Sequence, residues 1–204
     1  MTTPRDLLIV AMDMETSRPL ERGDLSLALA GAELIDLLGA QAVRLDDDRI
    51  VPGYRPTLPD RLLDQAALSL VQQAPYESVD DWLWRRGHGL AAAYLSALED
   101  DGQITREHRR WHPFGAGQTA LADSPARRQA MDRWTSREAV LTALAAAAGI
   151  NGTGTGDEQD VADDAVSTVL DAVHDAVREL EGERQRRAIE DAAFDNVWRG
   201  PDGN

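Results

Sequence analysis

Cysteine is absent from the 204-residue chain, which excludes disulfides, thiolate metal sites and a cysteine nucleophile. Lysine is absent as well, so all 21 basic residues are arginine and no phosphate loop of the GxxxxGK[ST] type can be built. The arginine preference accompanies heavy use of Ala, Gly and Asp and reads as a GC-rich coding sequence. Aromatic residues make up only 5%, so a core must rely on Leu, Ala, Val and Ile. No run reaches the ~20 apolar residues that span a bilayer. The opening MTTPRDLL lacks the charged and apolar regions of a signal peptide. These absences lead to the expectation of a protein made and kept in the cytoplasm. No HExxH and no GxSxG motif occurs, and nothing points to an enzyme or a cofactor.

What is present is acid. The net charge is −15, from 36 acidic and 21 basic residues. Such a surface repels nucleic acid and anionic lipid over ~8 Å at physiological salt, so no nucleic-acid partner is expected unless cations gather locally. At 43% hydrophobic the chain can bury a core, and its length suits one domain over residues 1–204.

Organisation follows from periodicity. Asp6 is placed to cap a short helix over LLIVAM, and DMETSRPLERG is a loop. Asp24 is placed to cap LSLALAGAELIDL. There Leu27, Leu34 and Leu38 form one helical stripe with Gly31 between them, and Leu25, Leu29, Ala32 and Ile35 form another. A helix with so wide an apolar surface is buried on much of its circumference. Val43, Leu45, Ile50 and Val51 flank the turn-forming DDD as a short hairpin. RLLDQAALSLVQQA reads as a helix ending before Pro75, and SVDDWLWRR as one capped by Ser78. LAAAYLSALEDDG stops at Gly102. ITREHRRWHPFGAGQTALAD is a second hairpin with GAG at its turn. Helices follow over RRQAMDRW and REAVLTALAAAAGI. Residues 151–157, NGTGTGD, form a flexible linker. A last helix runs from Val161 to about Trp198, with a stripe of Val166, Val169, Leu170, Val173, Val177 and Leu180. Residues 199–204 are a disordered tail. The sum is a mainly α, single-domain fold with one or two short β-hairpins.

Candidate chemistry is thin. His108 and His112 lie in the second hairpin, where a four-residue spacing does not set two ligands side by side, and no metal is expected. His174 sits beside the stripe of its helix as a surface residue. Asp80–Asp81 and Asp163–Asp164 read as solvated faces in a chain this acidic. The arginines are uneven. Arg85 and Arg86 follow Trp82 and Trp84, and Arg109 and Arg110 precede Trp111 and Phe114. Arg beside Trp suits a membrane interface, where the ring sits among headgroups and the guanidinium binds phosphate. A core Trp82 with exposed solubilising arginines is the simpler reading for the first group. For RRWHPF, near a hairpin tip, both readings stand.

The collinear series DLLIVAMDMETSRP, LALAGAELIDLLGAQAVRL, LPDRLLDQAAL, SVDDWL and LSALEDDGQI resembles the Golgi phosphoprotein 3 family, including its bacterial relatives, across roughly residues 5–150. The resemblance implies a compact helical fold with a protruding hairpin. It also implies a non-enzymatic peripheral membrane protein, here at the cytoplasmic membrane face. Family members recognise phosphatidylinositol 4-phosphate in a shallow basic pocket with a tryptophan, and they recruit other proteins. RRWHPFGAGQTAL looks like the family hairpin, linked to membrane contact or self-association, which would use Arg109, Arg110, Trp111 and Phe114.

Carried over position by position, the family's pocket tryptophan falls at Glu21 and its three arginines at Ala30, His88 and Ala91. None keeps the family residue. A multiply charged headgroup needs charge-assisted donors to offset its lost hydration; Ala30 and Ala91 supply none, Glu21 repels it, and His88 helps only when protonated. Arg22, Arg85 and Arg86 are the nearby cations that could compensate, with a displaced anion site at Arg22, Arg85 and His88. The expected function is peripheral recognition of an anionic phospholipid headgroup, phosphatidylinositol 4-phosphate by family resemblance. The alternative is a lipid-independent protein–protein adaptor on the same fold, favoured by the acidic surface and the altered pocket.

Overall fold

The computed structural model of the chain describes residues 2–14, 20–107, 118–150 and 163–198. Helix α1 (Thr3–Asp13) begins with Thr2 at its N-cap and a proline in its first turn, where a missing N–H costs nothing. Asp6 therefore does not cap it, contrary to the sequence expectation. It lies inside the helix, fully buried, and pairs with Arg133. Helix α2 (Arg22–Gly39) likewise starts before Asp24, with Glu21 at the N-cap. Asp24 instead accepts two hydrogen bonds from Arg184 at 2.7 and 3.1 Å. In both cases a distant arginine takes the carboxylate that local sequence assigns to a cap.

The hairpin β1 (Val43–Asp46) and β2 (Arg49–Pro52) pairs Leu45 with Ile50 and turns through Asp47 at φ +53°. Aspartate tolerates this left-handed conformation better than most residues. Asp60 caps α3 (Arg61–Leu68), accepting from the amides of Leu62 and Leu63 at 2.9 and 3.0 Å. This helix ends at Leu68, well before Pro75. Ser69 stops it by donating its hydroxyl to the Ala66 carbonyl at 2.9 Å, a local bond that competes with further helix.

Ser78 caps α4 (Val79–Gly87) as its motif predicts, accepting from the Asp81 amide at 3.1 Å and donating to the Asp81 carboxylate at 2.7 Å. Gly89, at φ +73°, turns the chain into α5 (Leu90–Asp100), and Gly102, at φ +68°, follows its end. Strands β3 (Ile104–Glu107) and β4 (Gln118–Leu121) form the second antiparallel hairpin. Its tip lies outside the described residues, and with it His108, Arg109, Arg110, Trp111, His112 and Phe114. Ser124 caps α6 (Pro125–Thr135), and α7 (Ala139–Ala147) and α8 (Asp164–Trp198) complete the order. The proposed linker at 151–157 and tail at 199–204 also fall outside the described residues.

Helix α2 is the axis of the core. From Leu25 to Ile35 every residue is buried, as its two apolar stripes require. Helices α1, α4, α5, α7 and α8 pack around it. The crossing with α8 is close: a Cβ at Gly31 would overlap Val173 Cγ2, and a Cβ at Gly23 would lie 2.7 Å from Leu180 Cδ2. The α8 stripe does this packing. Val169 and Val173 are fully buried, and Val166, Leu170, Val177 and Leu180 sit partly buried against the same core. Trp82 and Tyr94 are its largest buried side chains, so Trp82 is a core residue.

Candidate functional site at the junction of α2, α4 and α5

The first half of α2 abuts the corner where α4 turns into α5. Ser26 joins them by accepting a hydrogen bond from the Ala91 amide at 3.1 Å. Gly87 lies in contact with the same stretch of α2: a Cβ there would meet Leu27 Cδ2 at 3.3 Å and the Ser26 carbonyl at 3.4 Å. Arg22, Ser26 and Ala30 follow one another at four-residue spacing, one above the next on one face of α2. His88 is the residue after α4, three positions before Ala91. The corner thus gathers Ala30, His88 and Ala91, with Glu21 and Arg22 at its α2 end.

The chemistry gathered there differs from the sequence picture in one respect. Ala30, the position that resemblance gives to a pocket arginine, is fully buried, and its carbonyl accepts the Trp82 indole N–H at 3.1 Å. Ala91 is buried as well. Glu21, Arg22 and His88 are exposed. A ligand arriving at this corner meets one arginine, one histidine and one carboxylate.

The other two candidate cations are engaged elsewhere. Arg85 forms a two-point ion pair with Glu77 at 2.6 and 2.7 Å and stands over the Trp82 ring, 5.2 Å from its centroid. Arg86 turns inward. It grips both oxygens of the fully buried Glu33 at 2.7 and 2.8 Å and donates to the Leu62 carbonyl at 3.1 Å. Tyr94 completes this network, donating its hydroxyl to Glu33 at 2.9 Å. Burial pushes the Glu33 carboxyl up despite Arg86, and burial beside Glu33 pushes the Tyr94 phenol up strongly. The geometry therefore fits a fixed internal strut joining α2, α3, α4 and α5. Sequence reading missed it, although one signal was present: Glu33 stands in a helix apolar on nearly every side, where a carboxylate needs a buried partner.

A second network ties α1 to its neighbours. Arg5 pairs with Asp60 and Asp101, Asp6 with Arg133, and the Thr3 amide donates to Asp36 at 2.8 Å. Burial raises Asp6 and Asp36 above the ordinary carboxylate range. An open cleft of about 670 Å³ lies beside Arg5, lined by Asp60, Arg61, Asp100 and Asp101. Arg5 is already neutralised by two carboxylates, and the cleft lies apart from the α2–α4–α5 corner.

His174, Asp80, Asp81, Asp163 and Asp164 are exposed. Among the described residues, no group of three or more His, Asp or Glu side chains is arranged to hold a metal ion. No helix among them is long and apolar enough to cross a membrane. In comparisons with known proteins, the family model described as Golgi phosphoprotein 3 (GPP34) matches residues 4–192. No curated protein matches the chain.

Proposed function

The chain belongs to the Golgi phosphoprotein 3 family, and we propose that it acts by binding, as an adaptor whose ligand is a protein surface rather than phosphatidylinositol 4-phosphate. One observation carries this reading: the positions equivalent to two of the family's pocket arginines are the buried alanines Ala30 and Ala91. A phosphorylated headgroup loses strong hydration on binding, and only charge-assisted donors offset that loss. The nearby Arg85 and Arg86 do not supply them, because Glu77 and Glu33 hold both guanidiniums. The net charge of −15 adds long-range repulsion from an anionic membrane.

A second reading, a weak anionic-headgroup site, has its own support. Arg22 and His88 are exposed, and Arg22 lies one turn before the Ser26 that binds Ala91. Vesicle flotation separates the two. Neutral vesicles, vesicles with phosphatidylinositol and vesicles with its 4-phosphate are compared, using the wild type and Arg22→Ala/His88→Ala. The adaptor reading expects no lipid-dependent flotation. Flotation on the phosphorylated lipid that disappears in the double variant overturns it and establishes the second reading.

A further inference from the structure

The longest helix outruns the body it packs on. Leu180 is the last α8 residue of the apolar stripe, and the Arg184–Asp24 ion pair fastens the next turn to α2. From Gln185 to Asp191 every residue is exposed, and Ile189 stands 69% exposed. These seven residues remain helical over about 10 Å at ~1.5 Å per residue. A helix held only by its own hydrogen bonds is marginal in water, and most helical stability in proteins comes from packing a face.

Charge indicates what packs there. Residues Glu183 to Asp191 carry three arginines and three acids, which cancel, on a chain whose net charge is −15. This segment therefore adds no net charge of its own to the repulsion between two acidic copies. Its pattern is also complementary to itself. Arg186, Ile189 and Glu190 share one side of the helix by their three- and four-residue spacing.

We infer that the α8 segment around Ile189 is a self-association surface, occupied by the same segment of a second copy laid antiparallel. A two-fold axis passing beside Ala188 sets Arg186 of each copy opposite Glu190 of the other. The two Ile189 side chains then meet next to the axis. This is an isologous contact, the same patch on both subunits. Among the described residues Arg186 reaches only Glu183 on its own helix, an exposed pair that adds little and is readily exchanged. The inference is independent of which ligand the α2–α4–α5 corner takes.

Sedimentation velocity of the full chain, from micromolar to hundreds of micromolar, tests it. The wild type is compared with Ile189→Asp, Arg186→Glu and the exchange Arg186→Glu/Glu190→Arg, with circular dichroism to show that each stays helical. Concentration-dependent dimers are expected, with a Kd raised about tenfold or more in either single variant, equivalent to ~1.4 kcal/mol. The exchange variant is expected to recover wild-type dimerisation. A monomer at every concentration overturns the inference, and so does a dimer indifferent to these substitutions. Vesicle binding by a monomeric wild type that Ile189→Asp abolishes overturns it too, because a membrane is then the occupant.

Discussion

Glu33 carries a carboxylate into the middle of an apolar helix, and Arg86 and Tyr94 make that tolerable. Removing one partner leaves an uncompensated buried charge, which costs far more than losing the pair as a whole. Arg86→Met is expected to destabilise the fold by about 3–5 kcal/mol, and Glu33→Leu/Arg86→Met by much less, in urea denaturation. Asp6 makes a related prediction through pH. Burial raises its folded pKa above that of an ordinary aspartate, with Arg133 only partly opposing this. A raised pKa means that the stability this group contributes is fully present below its unfolded pKa. That contribution is lost as pH rises through the folded value. The stability of the wild type minus that of Asp6→Asn should therefore fall as pH rises across the acid range. Denaturation curves at a series of pH values would contradict the assignment if that difference climbed. At this scale the sequence was partly misleading. Asp6 and Asp24 both look like caps, and nothing local reveals that Arg133 and Arg184, more than a hundred residues away, claim them.

At the scale of elements, the α2–α8 crossing is a close joint, with glycine at both contact points named above. Gly31 lies against Val173, a β-branched side chain with little rotamer freedom that is itself fully buried. Gly31→Ala should cost about 1–3 kcal/mol despite alanine's better helix propensity, because the extra methyl forces the helices apart. Adding Val173→Ala should recover part of that loss, which thermal denaturation of the three variants would show. Elements with their own punctuation were legible: the Ser78 cap, the Asp47 turn, and the Gly102 stop all sit where sequence puts them. The end of α3 was not. Its helical pattern continues through Leu70 and Val71, yet the helix ends at Leu68, where the Ser69 hydroxyl turns back on the Ala66 carbonyl.

For the whole molecule, a mainly α fold with two hairpins follows from apolar periodicity and turn residues, and the family match over residues 4–192 agrees with it. The candidate site was legible only in part. Sequence resemblance selects Glu21, Ala30, His88 and Ala91, and the fold does bring Ala30, His88 and Ala91 to one corner. What sequence could not supply was depth. Burial of Ala30 and the inward turn of Arg86 depend on how three helices meet. At the positions that resemblance selects and beside them, Glu21, Arg22 and His88 are exposed while Ala30 and Ala91 are buried. The most direct measurement is flotation of the full chain with vesicles that differ only in phosphatidylinositol 4-phosphate. The account predicts equal recovery with and without that lipid. Enrichment on the phosphorylated vesicles, abolished by Arg22→Ala/His88→Ala, would contradict it.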